Sequence, residues 1–181
     1  MHRALLVVAP LFTAGCGDMM ITRRIDAGIQ ITVLAAEGLG PPESKVLAEL
    51  PEVVVDLGDQ LAGEGINRED IGEARIEDLL IEATDPEGAD LSFLSAVSVT
   101  FEAEGLDPLV VASAESFPEG EALIVPDLAD EDLAPYLMAP TLTLTPVFDG
   151  HPPEETTTVE IPFTFMVRAR AGMLMEQAGT R

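Results

Sequence analysis

The segment Asp127-Leu-Ala-Asp-Glu-Asp132 is the densest acidic stretch of the sequence. Calcium takes about six to eight oxygen ligands, so Asp127, Asp130, Glu131 and Asp132 are candidate ligands of a calcium site. The segment lacks the EF-hand spacing of alternate acids, central glycine and terminal glutamate. Acids are also stabilised in the first turn of a helix by its macrodipole. The sequence therefore favours a solvated helix start and keeps calcium-dependent binding as the second interpretation.

Nucleophilic catalysis would need a serine or cysteine beside a histidine. Apart from His2 near the start, the only histidine is His151, in the proline-rich loop 149–155, and no Gly-x-Ser-x-Gly sequence occurs. The only cysteine is Cys16, and one histidine with one cysteine cannot build a typical zinc site. The sequence predicts no catalytic residue and no resident cofactor.

Neighbouring carboxylates are the remaining source of chemistry, because a glycosidase uses two of them across a cleft. The pairs are Asp56 with Asp59, Glu77 with Asp78, and Glu154 with Glu155. The chain has no tryptophan and one tyrosine, whereas such clefts are rich in aromatic side chains. An envelope hydrolase that uses a carboxylate pair is therefore the third hypothesis.

Residues 1–16 have the layout of an export signal. His2 and Arg3 precede an apolar run over residues 4–12, and small residues lead to Cys16. The run is shorter than the about 20 residues that span a bilayer. The sequence Thr13-Ala-Gly-Cys16 resembles the lipobox of bacterial lipoproteins. That resemblance implies cleavage after residue 15, fatty acyl chains such as palmitate on Cys16, and attachment to a membrane of the bacterial cell envelope.

The charge balance limits the partners. Nine basic residues stand against 33 acidic ones, for a formal net charge of −24. Such a surface repels nucleic acid, which excludes nucleic-acid binding. With 47% hydrophobic residues the chain has enough apolar side chains for a core. The acidic surface fits either a saline habitat or cation binding, and the sequence alone leaves both open.

Alternating apolar residues predict strands over most of the chain. The predicted strands cover residues 25–36, 53–57, 74–83, 93–103, 109–114, 122–125, 141–148 and 157–170. Short helical turns are expected within residues 58–71, and a helix over 127–138. Turn residues recur about every 8–12 positions, which predicts an all-β antiparallel sandwich of immunoglobulin-like or jelly-roll type with one or two short helices.

The predicted organisation is a signal peptide (1–15), a lipidated cysteine and tether (16–24), a β-sandwich (25–170) and a flexible tail (171–181). Pro162 would fit best on an edge strand or at a bulge. The predicted core comprises Ile31, Val33, Val55, Ile76, Ile81, Val97, Val99, Phe101, Val111, Leu142, Leu144, Phe163 and Phe165.

Residues 89–103 are similar to a stretch found in uncharacterised bacterial envelope lipoproteins, in which Leu-Ser-Phe-Leu precedes a strand. The leading functional hypothesis is a non-enzymatic envelope module that binds a protein partner through an uncovered sheet edge or a loop end. The partner itself is not identified by the sequence.

Overall fold

The computed structural model describes residues 20–35, 45–49 and 53–170, and every strand pairing in this part of the chain is antiparallel. The strands are β1 (Met20–Val33), β2 (Lys45–Glu49), β3 (Val53–Val55), β4 (Ile71–Leu79), β5 (Ile81–Asp85), β6 (Leu94–Glu102), β7 (Leu109–Ala114), β8 (Leu123–Ile124), β9 (Asp127–Leu128), β10 (Leu142–Gly150) and β11 (Thr157–Arg170). Two short helices, α1 (Gly58–Gly63) and α2 (Ala134–Met138), and a 3-10 turn at Arg68–Asp70 lie between them.

The strands form two sheets. Sheet A has the order β1-β11-β5-β8, and β4 also pairs with β11. Sheet B has the order β2-β10-β6-β7-β9, and β3 also pairs with β10. The phenyl ring of Phe101 in sheet B lies 5.9 Å from that of Phe165 in sheet A, centroid to centroid. The predicted all-β antiparallel sandwich is confirmed.

Successive side chains of a strand point to opposite faces of the sheet, so every second side chain faces the core. On β11 the side chains of Val159, Ile161, Phe163, Phe165 and Val167 are all buried. The predicted core residues are buried with one exception, Val55, which is only half-buried on the short strand β3.

The first strand begins earlier than predicted. Residues 20–24, expected to be tether, belong to β1, because Met20 already pairs with Arg170 at the end of β11. The predicted tail at 171–181 lies outside the described residues, as do the predicted signal peptide and the start of the tether.

The strand predicted at residues 74–83 is two strands, β4 and β5, with Leu80 between them. Leu80 lies beside Pro162 and donates its N–H to the Pro162 carbonyl at 3.0 Å. Proline has no N–H to return a second bond, so the ladder is interrupted there. The expectation of an edge position for Pro162 was wrong: β11 is central, and the interruption lies in its neighbour.

The helix predicted over residues 127–138 is confined to α2. Asp127 pairs with Ser113 and Leu128 with Ala112, and Ala129 donates its N–H to Val111 at 3.0 Å. These sheet hydrogen bonds use the backbone groups that a helix would need. The short helical turns expected within residues 58–71 are present as α1 and the 3-10 turn. In the described part of the chain no helix reaches the length and apolarity that crossing a bilayer requires.

Candidate functional site

The outer edge of β1 is a long backbone surface. β1 spans 14 residues and pairs with β11 in one continuous register, from Met20 opposite Arg170 to Val33 opposite Thr157. Among the described residues no strand pairs with its other side. An uncovered strand edge presents unpaired N–H and C=O groups to which a further extended segment can bond.

Pro162 shows which residues of β1 present those groups. In an antiparallel strand the N–H and C=O of one residue point to the same side. The Pro162 carbonyl accepts a bond from Leu80, on the side of β11 away from β1. Gly28, opposite Pro162 on β1, is therefore in a non-hydrogen-bonded pair, and its own N–H and C=O point outward. The same holds for every second residue: Met20, Thr22, Arg24, Asp26, Gln30 and Thr32.

The β1 edge carries the charged residues Arg23, Arg24 and Asp26 but lacks the other features with which proteins commonly block edge pairing. β1 contains no proline, no lysine and no bulge. Gly28 keeps the strand close to β11, since a Cβ there would lie 3.2 Å from the Pro162 Cα. Over the described residues the edge is thus continuous and uncovered along a length at which many hydrogen bonds can form.

Charged side chains next to this edge are bonded across sheet A. Arg24 donates from Nε and Nη2 to the Glu77 carboxylate on β4 at 2.6 and 2.8 Å, passing over β11. This hydrogen bond lowers the pKa of Glu77 and raises the pKa of Arg24. Asp26 Oδ1 accepts from the Thr164 hydroxyl at 2.8 Å. These bonds hold both side chains on the outer face of the sheet.

Sheet A also carries most of the basic residues that the structure describes. These are Arg23, Arg24, Arg75, Arg168 and Arg170. Glu73 contacts Arg75 at 2.9 Å and Arg168 at 3.7 Å, and Arg23 lies 3.5 Å from Glu64. In a chain of net charge −24, the surface beside β1 is therefore a region where acids are locally compensated.

A cleft with a volume of about 720 Å³ lies at one end of the sandwich. The loops that follow β5, β7 and β10 form it. Its titratable side chains are Glu87, Asp90, Glu119, His151, Glu154 and Glu155. This acidic cleft brings the predicted pair Glu154 and Glu155 beside His151, which the sequence placed in the same loop.

Hydrogen bonds fix the walls of the acidic cleft. Asp90 Oδ1 accepts from the Ser92 hydroxyl at 2.7 Å, and Oδ2 accepts from the Gly120 N–H at 2.8 Å. The bonds from Ser92 and Gly120 lower the pKa of Asp90. A general acid needs the opposite shift. Asp90 therefore joins two loops as a fixed anion.

His151 is held at the mouth of the acidic cleft by its backbone. Its N–H donates to the Phe93 carbonyl at 2.9 Å, and a Cβ on the preceding Gly150 would clash with that same oxygen. The imidazole is exposed, with Nδ1 3.2 Å from the Pro152 carbonyl. No ion pair joins His151 to a carboxylate of the described residues.

The candidate calcium ligands are not assembled into a site. Asp127 lies in β9, and Asp130 and Glu131 are exposed in the following loop. Asp132 Oδ1 accepts from the N–H groups of Ala74 at 2.9 Å and Ala134 at 3.0 Å. Over the described ranges, no group of three or more Asp, Glu, His or Cys side chains is placed to hold a metal ion.

The other carboxylate pairs are also dispersed or engaged elsewhere. Asp56 is bound to Arg68 at 2.6 Å, and Glu77 to Arg24. Cys16, the predicted lipid attachment site, lies outside the described residues. Sequence reasoning anticipated an uncovered edge in general terms, but β1 could be identified only once the strand order was known.

No family model matches the chain, and no curated protein matches it in sequence. Among solved structures it is similar to the decameric BFDV capsid protein, with a TM-score of 0.45 and 13% identity over 84% of this chain and 99% of that one. The 60-mer BFDV capsid protein matches with a TM-score of 0.41 and 12% identity, over 85% of this chain and 95% of that one. The semi-empty VLP of the giant freshwater prawn Macrobrachium rosenbergii nodavirus matches with a TM-score of 0.33 and 10% identity, over 94% of this chain and 95% of that one. The likeness concerns the fold alone.

Proposed function

We propose that this chain is a non-enzymatic protein-interaction module of the bacterial cell envelope, anchored through lipid on Cys16, that binds an extended polypeptide along the edge of β1. The observation that carries the proposal is the unbroken 14-residue pairing of β1 with β11, with no described strand on the other side of β1. Strand addition to such an edge supplies main-chain hydrogen bonds, and the alternating side chains supply specificity.

The chemistry of the acidic cleft supports the non-enzymatic part of the proposal. The lowered pKa of Asp90 suits a structural anion, and His151 is not oriented by a described carboxylate. A general base is normally held by such a partner. The acidic cleft is therefore assigned no reaction.

The start of β1 at Met20 sets the position of the edge relative to the proposed anchor. Residues 17–19 separate Cys16 from β1. An extended chain spans at most about 3.6 Å per residue, so Met20 lies within about 14 Å of Cys16. The proposed anchor would hold the β1 edge close to the membrane surface, where partners are membrane-associated.

Replacing Cys16 with serine tests the anchor. Because the lipid is attached through the thiol, Cys16→Ser should abolish incorporation of labelled fatty acid and move the protein to the soluble fraction. Fractionation of cells that express each form measures this. A Cys16→Ser protein that stays in the membrane fraction contradicts the anchor.

Proline substitutions at adjacent positions test the edge. Thr22→Pro removes an outward N–H and should change the free energy of unfolding by less than about 1 kcal/mol, because no ladder bond is lost. Arg23→Pro, the matched control, removes an N–H that points to β11 and should cost about 3 kcal/mol. Urea unfolding measures both.

Binding at the edge is then measured by amide hydrogen exchange, with and without native envelope extract, on the lipidated protein. The outward amides of Thr22, Arg24 and Asp26 should exchange fast alone and slow when a partner binds, while the intervening amides are slow throughout. Thr22→Pro should prevent the slowing. Slowing that is unchanged in Thr22→Pro contradicts binding at this edge.

A further inference from the structure

We propose that the segment that pairs with β1 is β1 of a second copy of this chain, antiparallel, with Arg24 of each copy opposite Asp26 of the other. This inference rests on the proposed use of the β1 edge and names its partner. Two properties of the strand lead to it: the positions of its outward backbone groups, and the placement of its charges.

The outward backbone groups restrict the register. Only residues 20, 22, 24, 26, 28, 30 and 32 present N–H and C=O groups at the edge, as the pairing of Gly28 with Pro162 shows. Two copies can form an antiparallel ladder only if these residues face one another. Registers that place an outward residue opposite an inward one are excluded.

Among the allowed registers the charges select one. With Arg24 opposite Asp26 of the second copy, two-fold symmetry gives the same opposite-charge pair twice. Sliding the strands by two residues in one direction sets Asp26 opposite Asp26, and in the other direction Arg24 opposite Arg24. Opposite charges across a strand pair stabilise it and like charges destabilise it.

The bonds already made by these side chains decide what the new pair requires. Arg24 uses Nε and Nη2 on Glu77, on the side away from the edge, so its guanidinium must turn from Glu77 to reach an acceptor of the second copy. Asp26 uses Oδ1 on Thr164, so Oδ2 remains as that acceptor. Both side chains are already held on the outer face of sheet A, where the second copy would place its own.

The inner side of the same register pairs isoleucines with one another, and Arg23 lies opposite Ala27. Ile25 lies on the two-fold axis opposite its counterpart, and Ile21 lies opposite Ile29. Ile25 and Ile29 are buried and Ile21 is half-buried in the isolated chain. Every allowed register places these inner residues opposite one another, so the apolar residues are compatible with the register that the charges select.

A two-fold dimer through β1 fits the structure better than an open-ended assembly in which β1 of one copy adds to β4 of the next. The outer edge of β4, which flanks β11 on its other side, is occupied at Ala74 by Asp132 and Leu133. Head-to-tail addition of β1 onto β4 is blocked there, and pairing of β1 with itself closes after two copies. The arginines beside β1 also reduce repulsion between two chains of net charge −24.

Disulfide cross-linking of the full, lipidated chain in detergent micelles tests the register. Residues 20 and 30 form a hydrogen-bonded pair in the proposed dimer, with Cα atoms about 5.5 Å apart, within the range of a disulfide. A mixture of Met20→Cys and Gln30→Cys proteins should cross-link. Met20→Cys mixed with Thr32→Cys, which reports the register shifted by two, should give about tenfold less product.

Charge reversal and proline placement provide the matched controls. Arg24→Glu should weaken dimerisation about tenfold, measured by analytical ultracentrifugation, and Arg24→Glu combined with Asp26→Arg should restore it. Glu77→Gln, which removes only the intramolecular ion pair of Arg24, should not weaken the dimer. Thr22→Pro should abolish the dimer, whereas Thr32→Pro, outside the proposed overlap, should not.

Two results overturn the second copy as partner: a monomer at all concentrations without the 20–30 cross-link, or cross-linking that favours position 32. If the protein is monomeric but its outward amides still slow with envelope extract, the partner is another chain and the proposed function stands. If Thr22→Pro alters neither dimerisation nor that slowing, both proposals fail.

Discussion

β1 and β4 flank the same central strand, β11, yet their outer edges differ. At Ala74 the outer edge of β4 is occupied, because Leu133 donates its N–H to the Ala74 carbonyl at 2.7 Å and Asp132 accepts from the Ala74 N–H at 2.9 Å. Within the described residues nothing comparable bonds to β1. In the described part of sheet A, β4 is thus covered at Ala74 and β1, the longer strand, is uncovered.

The contrast assigns a structural role to part of the acidic segment. The Asp132 carboxylate accepts the hydrogen bond that a neighbouring strand would otherwise accept from Ala74. Leu133 and, in α2, Leu137 are buried against the core. Covering an edge with a loop and helix is a common way to prevent unwanted pairing. Among the described residues no such cover lies at β1, and the proposed binding edge rests on this contrast.

The largest effect is expected from truncating Leu133, the buried side chain that holds the loop before α2 against the edge of β4. Leu133 is 3% exposed, so Leu133→Ala should lower the free energy of unfolding by about 3 kcal/mol through lost burial and a cavity. Urea unfolding measures the loss. The control is Met138→Ala at the end of the same helix, where the side chain is 41% exposed and little change is expected. Equal losses in the two variants would contradict a cover that is held by Leu133.

A smaller effect is expected at Asp132. Asp132→Ala leaves the N–H groups of Ala74 and Ala134 without their acceptor and should cost about 1–2 kcal/mol. Asp130→Ala, the control, should leave stability nearly unchanged, since Asp130 is exposed and its side chain accepts no described hydrogen bond. Thermal unfolding with and without Ca²⁺ checks both. A calcium-dependent rise in Tm that both variants abolish would restore the calcium interpretation.

The role of Asp132 also shows where sequence reasoning reached its limit. Alternation on β11 was visible because each residue's face follows from the period of two. The bond from Asp132 to Ala74 joins positions 58 residues apart, and no local pattern encodes that distance. The sequence offered only the acids Asp127 and Asp130, which suggested a helix that starts at residue 127, earlier than α2 does.

The same limit applies to the start of β1 and to the break between β4 and β5. Thr22, Arg23 and Arg24 lack an apolar alternation, so the sequence assigned them to a tether, whereas the ladder with β11 makes them strand. The interruption at Leu80 depends on Pro162, which is distant in sequence. The acidic cleft likewise collects three separate loops. Local patterns predicted the elements, and long-range pairing decided their ends and neighbours.

The smallest effect concerns the ion pair that connects β1 to β4 over β11. The hydrogen bond from Arg24 holds the pKa of Glu77 below its ordinary value of 4.5. Ionised Glu77 therefore stabilises the fold above that pH, and the contribution disappears as the pH falls through the lower pKa of the folded state. Both side chains contact solvent, so the contribution is small and is screened by salt.

Glu77→Gln should consequently be slightly less stable than the unmodified protein near neutral pH, and the difference should shrink as the pH falls below 4.5. Urea unfolding at low ionic strength, at about pH 6 and about pH 3, measures it, and added salt should reduce the difference at the higher pH. Glu82→Gln on β5 is the control, because Glu82 has no ion pair among the described residues. A difference that grows on acidification would contradict the lowered pKa of Glu77. If Glu77→Gln instead weakened dimerisation, Arg24 would depend on Glu77 for its orientation toward the second copy, and the two edges of sheet A would be coupled.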